Sequence, residues 1–343
     1  MEFFNSAAGR NITYVRPAHF TIGGLVGIPN IQYYYVCLVI IYVVSMVGNT
    51  FVMALIVWDH SLRNPKYVVV FNLVLSDVLL STTLVPKLLD TFLFDRHDIS
   101  YSSCLTYMFF MFVFTSMQSL NLVLLAFDRL VAIMFPLQYP VRITHRAMRR
   151  LVLLMWLLSA TLTLTAVGFI TRLSICRSVV IRSYFCDHGP VYRLACNDYT
   201  PSRVIANVCS ALILWIPLVF ILITYCFIAR ALIKISTLRE RVKGLKTCSA
   251  HLTLVSIYYL PVIFIYRFAP VTHPNIRIIN LSLTSILPPM LNPIIYVLQT
   301  QEIQVTLKRL RRVGGRRPLQ VTVTPEQKAT PAAPWILGIL SPD

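Results

Sequence analysis

Long apolar runs separated by short polar breaks dominate the pattern of this chain. Six stretches, 33–58, 104–127, 151–171, 204–229, 247–266 and 278–301, contain no Asp, Glu, Lys or Arg, and a seventh, 67–86, is interrupted only by Asp77. Each is about 20 residues or longer, the length an α-helix needs to cross a hydrocarbon layer of roughly 30 Å. The pattern predicts an all-α integral membrane protein, a bundle of seven transmembrane helices. The first 30 residues hold no apolar core, so no cleavable signal peptide is expected and the first span also directs insertion.

The polar breaks suggest the organisation. An extracellular N-terminus is expected over 1–32, the seven-span domain over 33–301, a membrane-surface helix over 302–312 and a disordered cytoplasmic tail over 313–343. Most loops are short, and only 172–203, between spans four and five, is long. In "QEIQVTLKRLRR" a helix places Ile303, Leu307 and Leu310 on one face and Lys308, Arg309, Arg311 and Arg312 around the other, which suits the anionic inner leaflet. The tail beyond it is rich in Pro, Gly and Thr. No internal repeat is visible.

Composition sharpens the picture. The chain is 57% hydrophobic but only 13% charged, where a soluble domain carries about 25% charge; the surplus apolar surface is for lipid. A net charge of +18 raises nucleic acid as a partner. Its distribution answers otherwise, because 20 of the 31 basic residues fall in segments that are cytoplasmic if the N-terminus is outside. That bias follows the positive-inside rule and sets the topology as N-out, C-in. The sequon Asn11-Ile12-Thr13 then lies outside, making Asn11 the expected glycosylation site; a second, at Asn280, falls inside a span and is expected to be silent.

Of eight cysteines, Cys37, Cys209, Cys226 and Cys248 lie in spans and read as small apolar packing residues. Cys104, Cys176, Cys186 and Cys196 face the oxidising side, where an even set implies two disulfides, with three pairings open. Near the inner end of span three, Asp128 and Arg129 stand side by side in "AFDRLVAI". A lone charge there is expensive; an adjacent pair at the membrane edge serves either as an anchor or as a switch.

Further motifs decide between these. "GN" at 48–49, "LSD" at 75–77, "AFDRLVAI" at 126–133 and "NPIIY" at 292–296, in that order on seven spans, resemble the rhodopsin-like G protein-coupled receptors. Asn49, Asp77 and Asn292 can hydrogen-bond across the bundle, and Pro293 frees a backbone carbonyl so that helix seven can bend. A narrower resemblance follows from "AFDRLVAIMFPLQYP", from "KTCSAHL" at 246–252, from "PMLNPIIY" at 289–296 and from the three cysteines of the long loop: over about residues 25–305 the chain is similar to the vertebrate odorant receptors.

That resemblance implies a Cys104–Cys186 bridge from helix three to the long loop, a Cys176–Cys196 bridge within it, and a loop held as a lid over a ligand cavity in the outer half of the bundle. Met108, Met111, Thr115 and Ser119 form one helix-three stripe, flanked by Phe112 and Ser116. Cys209 and Ile213 of helix five, Tyr259, Val262, Ile263 and Tyr266 of helix six, and Ser282 and Ser285 of helix seven are the expected opposite walls. Together they describe an apolar pocket with a few hydroxyls, suited to a small molecule. No acid lies in the stripe, which argues against an amine held by a salt bridge, and an outer-face charge of +5 favours anionic or polar water-borne ligands.

The resemblance also implies coupling to a stimulatory heterotrimeric G protein that raises cyclic AMP, with no cofactor and no enzymatic activity, in the plasma membrane of olfactory sensory neuron cilia. Asp128, Arg129, Tyr225, His251, Asn292, Pro293 and Tyr296 are the expected switch and coupling residues, with helix six hinged near Pro261. Departures stand out: Leu130 where Tyr is usual, Tyr258-Tyr259-Leu260-Pro261 where many members carry Phe-Tyr-Gly, and Gln118 in place of a glutamate, which leaves Asp77 as the only deep acid and a weak candidate for sodium. The alternatives are a non-olfactory receptor for a lipid or peptide and, more remotely, a transporter using Asp77 and Lys87. For a membrane hydrolase, the chain lacks a paired catalytic Asp, a His-Glu-x-x-His helix and a Ser and His arrangement.

Overall fold

A backbone that crosses lipid must satisfy its own polar groups, which helices do within a single segment. The computed structural model describes residues 14–25, 27–234, 238–268, 273–299 and 301–314. Its long helices are helix one (Gln32–Trp58), two (Lys66–Phe92), three (Tyr101–Met134), four (His145–Ile170), five (Thr200–Lys234), six (Leu238–Phe268) and seven (Pro274–Gln299), followed by Gln301–Gly314. Among the described residues, six of these helices carry a window long and apolar enough to span, and helix six carries an apolar stretch at His251–Phe264.

Helix three is the axis, packing on helices two, four, five and six, while helix one packs on two and seven. Local chemistry sets the starts: Ser100 caps helix three by accepting from the Ser103 amide, and Thr144 caps helix four by accepting from Ala147. Where helices one and seven meet, Gly48 is required, since a Cβ there would stand 2.8 Å from the Pro293 ring. Asp128 and Arg129 lie inside helix three, which continues to Met134, well past the charge-free run.

The outer side holds what the apolar pattern did not predict, a three-stranded sheet. Strand β1 (His19–Ile22) pairs antiparallel with β2 (Asp98–Ser100) and parallel with β3 (Val180–Ile181), in the order β2-β1-β3. The N-terminal segment is therefore the central strand, joining the first outer loop to the long one. Phe20 and Ile22 are buried beneath it, in an alternation too short to read from sequence. Gly24 turns the chain away at φ +53°, against the Phe92 ring, where no side chain fits. Cys104 is bonded to Cys186 and Cys176 to Cys196. The long loop also carries a short helix, His188–Tyr192, capped by Asp187.

Candidate functional site

In the outer half, the Cys104–Cys186 bond pins the loop to the top of helix three, and the two residues before Cys186 descend into the bundle. Tyr184 and Phe185 are buried in one cluster with Met111 and Ile278, and the Phe185 ring lies 6.4 Å from both Phe112 and Tyr107. Met108 is fully buried with Phe20, Ile22, Cys104 and Cys186 on the underside of the lid. Sequence reasoning missed Tyr184 and Phe185; an aromatic pair abutting the loop cysteine was the available signal.

Below this plug, helices three, five and six meet at Ser119. Its hydroxyl donates to the Ile213 carbonyl at 2.5 Å and therefore accepts from the Tyr259 hydroxyl at 2.9 Å. Ile213 needs that donor, because the residue four positions on is Pro217, which has no N–H. The same stretch, Ala211–Trp215, forms a π turn. Tyr258 donates to the Thr115 carbonyl at 3.4 Å, and Val262 and Ile263 pack beside both tyrosines. Thr115, Ser119, Ile213, Tyr259, Val262 and Ile263 are thus brought together.

Other expected walls turn elsewhere. The Cys209 thiol faces the Leu162 carbonyl of helix four at 3.7 Å; the π turn adds a residue to the register, so a stripe counted at 3.6 does not hold across it. Ser282 pairs with Tyr34 of helix one. Ser116 is buried and donates to Phe112 of its own helix at 2.6 Å. Ser285 donates to the Leu281 carbonyl at 3.0 Å but stays at the cavity, its side chain beside the Tyr184 hydroxyl of the plug. The Tyr266 side chain and Asn11 lie outside the described residues.

At mid-bundle, the two oxygens of fully buried Asp77 accept from Gln118 at 3.0 Å and from Asn292 at 2.6 Å, joining helices two, three and seven. Two side-chain amides, one from helix three and one from helix seven, thus donate to this carboxylate. Asn49 donates to the carbonyls of Ser45 and Pro289, at 2.8 and 2.7 Å. A second network, Trp156 to Asn72 to Asn121 at 2.8 and 2.6 Å, ties helices four, two and three. It was not anticipated, although two amides inside spans were its visible signal.

At the inner end, buried Asp128 is 3.7 Å from Arg129 and accepts from Tyr139 of the second inner loop at 2.7 Å. Burial and the neighbouring Asp128 charge push the Tyr139 hydroxyl well above the usual range. Nearby, the His251 ring joins three helices. Nε2 lies 3.1 Å from the Leu122 carbonyl, which can only accept, so Nε2 carries the proton and Nδ1 accepts from Tyr225 at 2.7 Å. The Arg129 side chain keeps 26% exposure. Leu130, in place of the usual Tyr, packs against Ile228, Leu232 and Cys248. Tyr296 is the neighbour whose buried hydroxyl has no hydrogen-bond partner among the described residues.

A family model described as olfactory receptor matches residues 37–312. Olfactory receptor 1500 of Rattus norvegicus is 32% identical over 278 residues, 81% of this chain and 89% of its own length. Olfactory receptor 51F2 of Homo sapiens is 31% identical over 298 residues, 86% of this chain and 87% of its own. Olfactory receptor 1C1 of Homo sapiens is 32% identical over 303 residues, 88% and 96%.

Proposed function

The chain belongs to the olfactory receptor family of seven-span membrane proteins, and we propose that it binds a small odorant in the outer half of the bundle and activates a stimulatory G protein that raises cyclic AMP. The observation carrying this reading is the Tyr225–His251–Leu122 bridge, which holds helix six to helix three beside Arg129. In the resting arrangement this bridge and the Asp128–Arg129–Tyr139 contacts hold the inner end closed. A ligand shifts that balance only by binding the open arrangement more tightly.

The ligand's place, on this reading, lies between the loop plug of Tyr184 and Phe185 and the floor of Ser119 and Tyr259. An occupant that displaces Phe185 or takes the Tyr259 hydroxyl alters the junction of helices three, five and six. Helix six then moves outward at its inner end and exposes Arg129 to the C-terminal helix of the G protein α-subunit. Ciliary membrane of olfactory neurons is the proposed location.

The test is a cyclic AMP assay in cells displaying the receptor. Arg129→Ala is expected to reach the surface as the wild type does and to lose the response to any activating odorant; an unchanged response removes the coupling role.

A further inference from the structure

A cavity opens on the outer face, away from the helix three, five and six junction. It measures about 570 Å³ and is lined by His19 of β1, Lys87 of helix two, Asp98, Ile99 and Ser100 of β2, and Ser103 and Tyr107 of helix three. This size lies within the range of about 300–1,000 Å³ typical of small-molecule sites. The N-terminal strand builds one wall: His19 is paired with Ser100 and Thr21 with Asp98 in the sheet register.

The polar groups of the lining are only partly used by the protein. The Lys87 ammonium spends one of its three donors on Asp90 at 2.8 Å. Ser103 accepts from Ser100 at 2.7 Å, which leaves its own proton available. The Tyr107 hydroxyl makes no hydrogen bond among the described residues, while its ring packs against Phe185. Asp98 accepts from Thr21 on Oδ1 at 2.8 Å, leaving Oδ2 open as an acceptor. A single cavity thus offers an ammonium and two hydroxyl donors on the helix side and a carboxylate oxygen on the strand side.

We propose that this vestibule binds a small zwitterion of the α-amino acid class, its carboxylate held by Lys87, Ser103 and Tyr107 and its ammonium by Asp98. A plain anion would leave Asp98 facing it unpaired, and a plain cation would face Lys87; only a ligand carrying both charges matches both walls. The same Tyr107 touches Phe185, the residue that plugs the bundle, so occupancy of the vestibule bears directly on the lid. The site is distinct from the bundle cavity proposed above and stands whether or not the chain couples to a G protein.

The test is binding to the purified full-length receptor in lipid nanodiscs, read as ligand-induced thermal stabilisation, so that G protein coupling plays no part. The probes are the natural α-amino acids, each with its α-amide and its N-acetyl derivative. At least one amino acid is expected to stabilise saturably, with both blocked forms weaker by about tenfold or more, the loss of one charge-assisted pair. Lys87→Gln should abolish the preference over the amide, and Asp98→Asn the preference over the N-acetyl form, while Lys87→Arg and Asp98→Glu keep binding and confirm that the variants fold. Saturable binding of no amino acid, equal binding of an N-acetyl form, or wild-type affinity in either charge-removing variant overturns the proposal.

Discussion

Asn49 donates a 2.7 Å hydrogen bond to the carbonyl of Pro289, the acceptor left without a helical donor because Pro293 stands four residues on. Helices one and seven are joined there by a proline's missing N–H, with Gly48 giving the Pro293 ring its room. Asn49→Leu would leave that carbonyl buried and unpaired, a cost of about 1–3 kcal/mol. The expected result is a lower melting temperature of the purified receptor; a variant as stable as the wild type would show that the carbonyl finds another partner.

The same logic operates at Ser119, with a sharper test. If Pro217 creates the demand that Ser119 meets, the two residues are energetically coupled. Ser119→Ala should destabilise the wild type, through the orphaned Ile213 carbonyl and the lost Tyr259 contact. In a Pro217→Ala background, where an N–H is restored, the Ile213 part of that penalty should vanish. Thermal denaturation of the four proteins should give a coupling of about 1 kcal/mol; additivity would separate the proline from the serine.

How legible this was from the sequence depended on what each feature requires. Spans, topology and the two cysteine pairs follow from long runs, charge bias and a family pattern, all of which survive local errors. Asp77, Asn292, Tyr225 and His251 were recognisable because a polar residue in a span must find a partner. Contacts that depend on register were not. Cys209 turned to helix four across the π turn, because a stripe counted at 3.6 residues per turn assumes an unbroken helix, and Ser282 turned to Tyr34 because which neighbour a helix face meets is set by tertiary packing. Strand β1 was invisible, since four residues carry too little periodicity and its partners are 77 and more positions away.

The inner bridge leads to a prediction about basal activity. Tyr225→Phe removes the hydroxyl that holds His251 Nδ1, and Tyr139→Phe removes the donor on Asp128. Each releases one restraint on the closed arrangement, and loss of about 1 kcal/mol multiplies the open population roughly fivefold. Ligand-free cyclic AMP at matched surface expression should rise in both variants. An unchanged basal level in both would mean that these bonds persist in the active arrangement.

The lid supplies a prediction about pH. His188 is buried in the loop helix, lies 3.2 Å from the Ala166 carbonyl and packs edge-on to Tyr192 at 5.5 Å. Burial lowers its pKa below the ordinary 6.5. An opened lid regains that ordinary value, so below 6.5 the open state takes up a proton that the closed state excludes, and closure weakens as pH falls from 6.5 towards the lowered pKa. Asp187 beside it works in the opposite sense: burial raises its carboxyl above 3.8 against the pull of Arg277, 4.0 Å away, so acidification towards 3.8 relieves a cost of closure. Between about pH 7.5 and 5.5 the His188 effect should therefore show as faster reduction of the Cys104–Cys186 bond by a membrane-impermeant phosphine at the lower pH. His188→Gln, which keeps a donor for Ala166 but cannot titrate, should flatten that dependence. A pH dependence that His188→Gln leaves intact would place the sensitive group elsewhere in the lid.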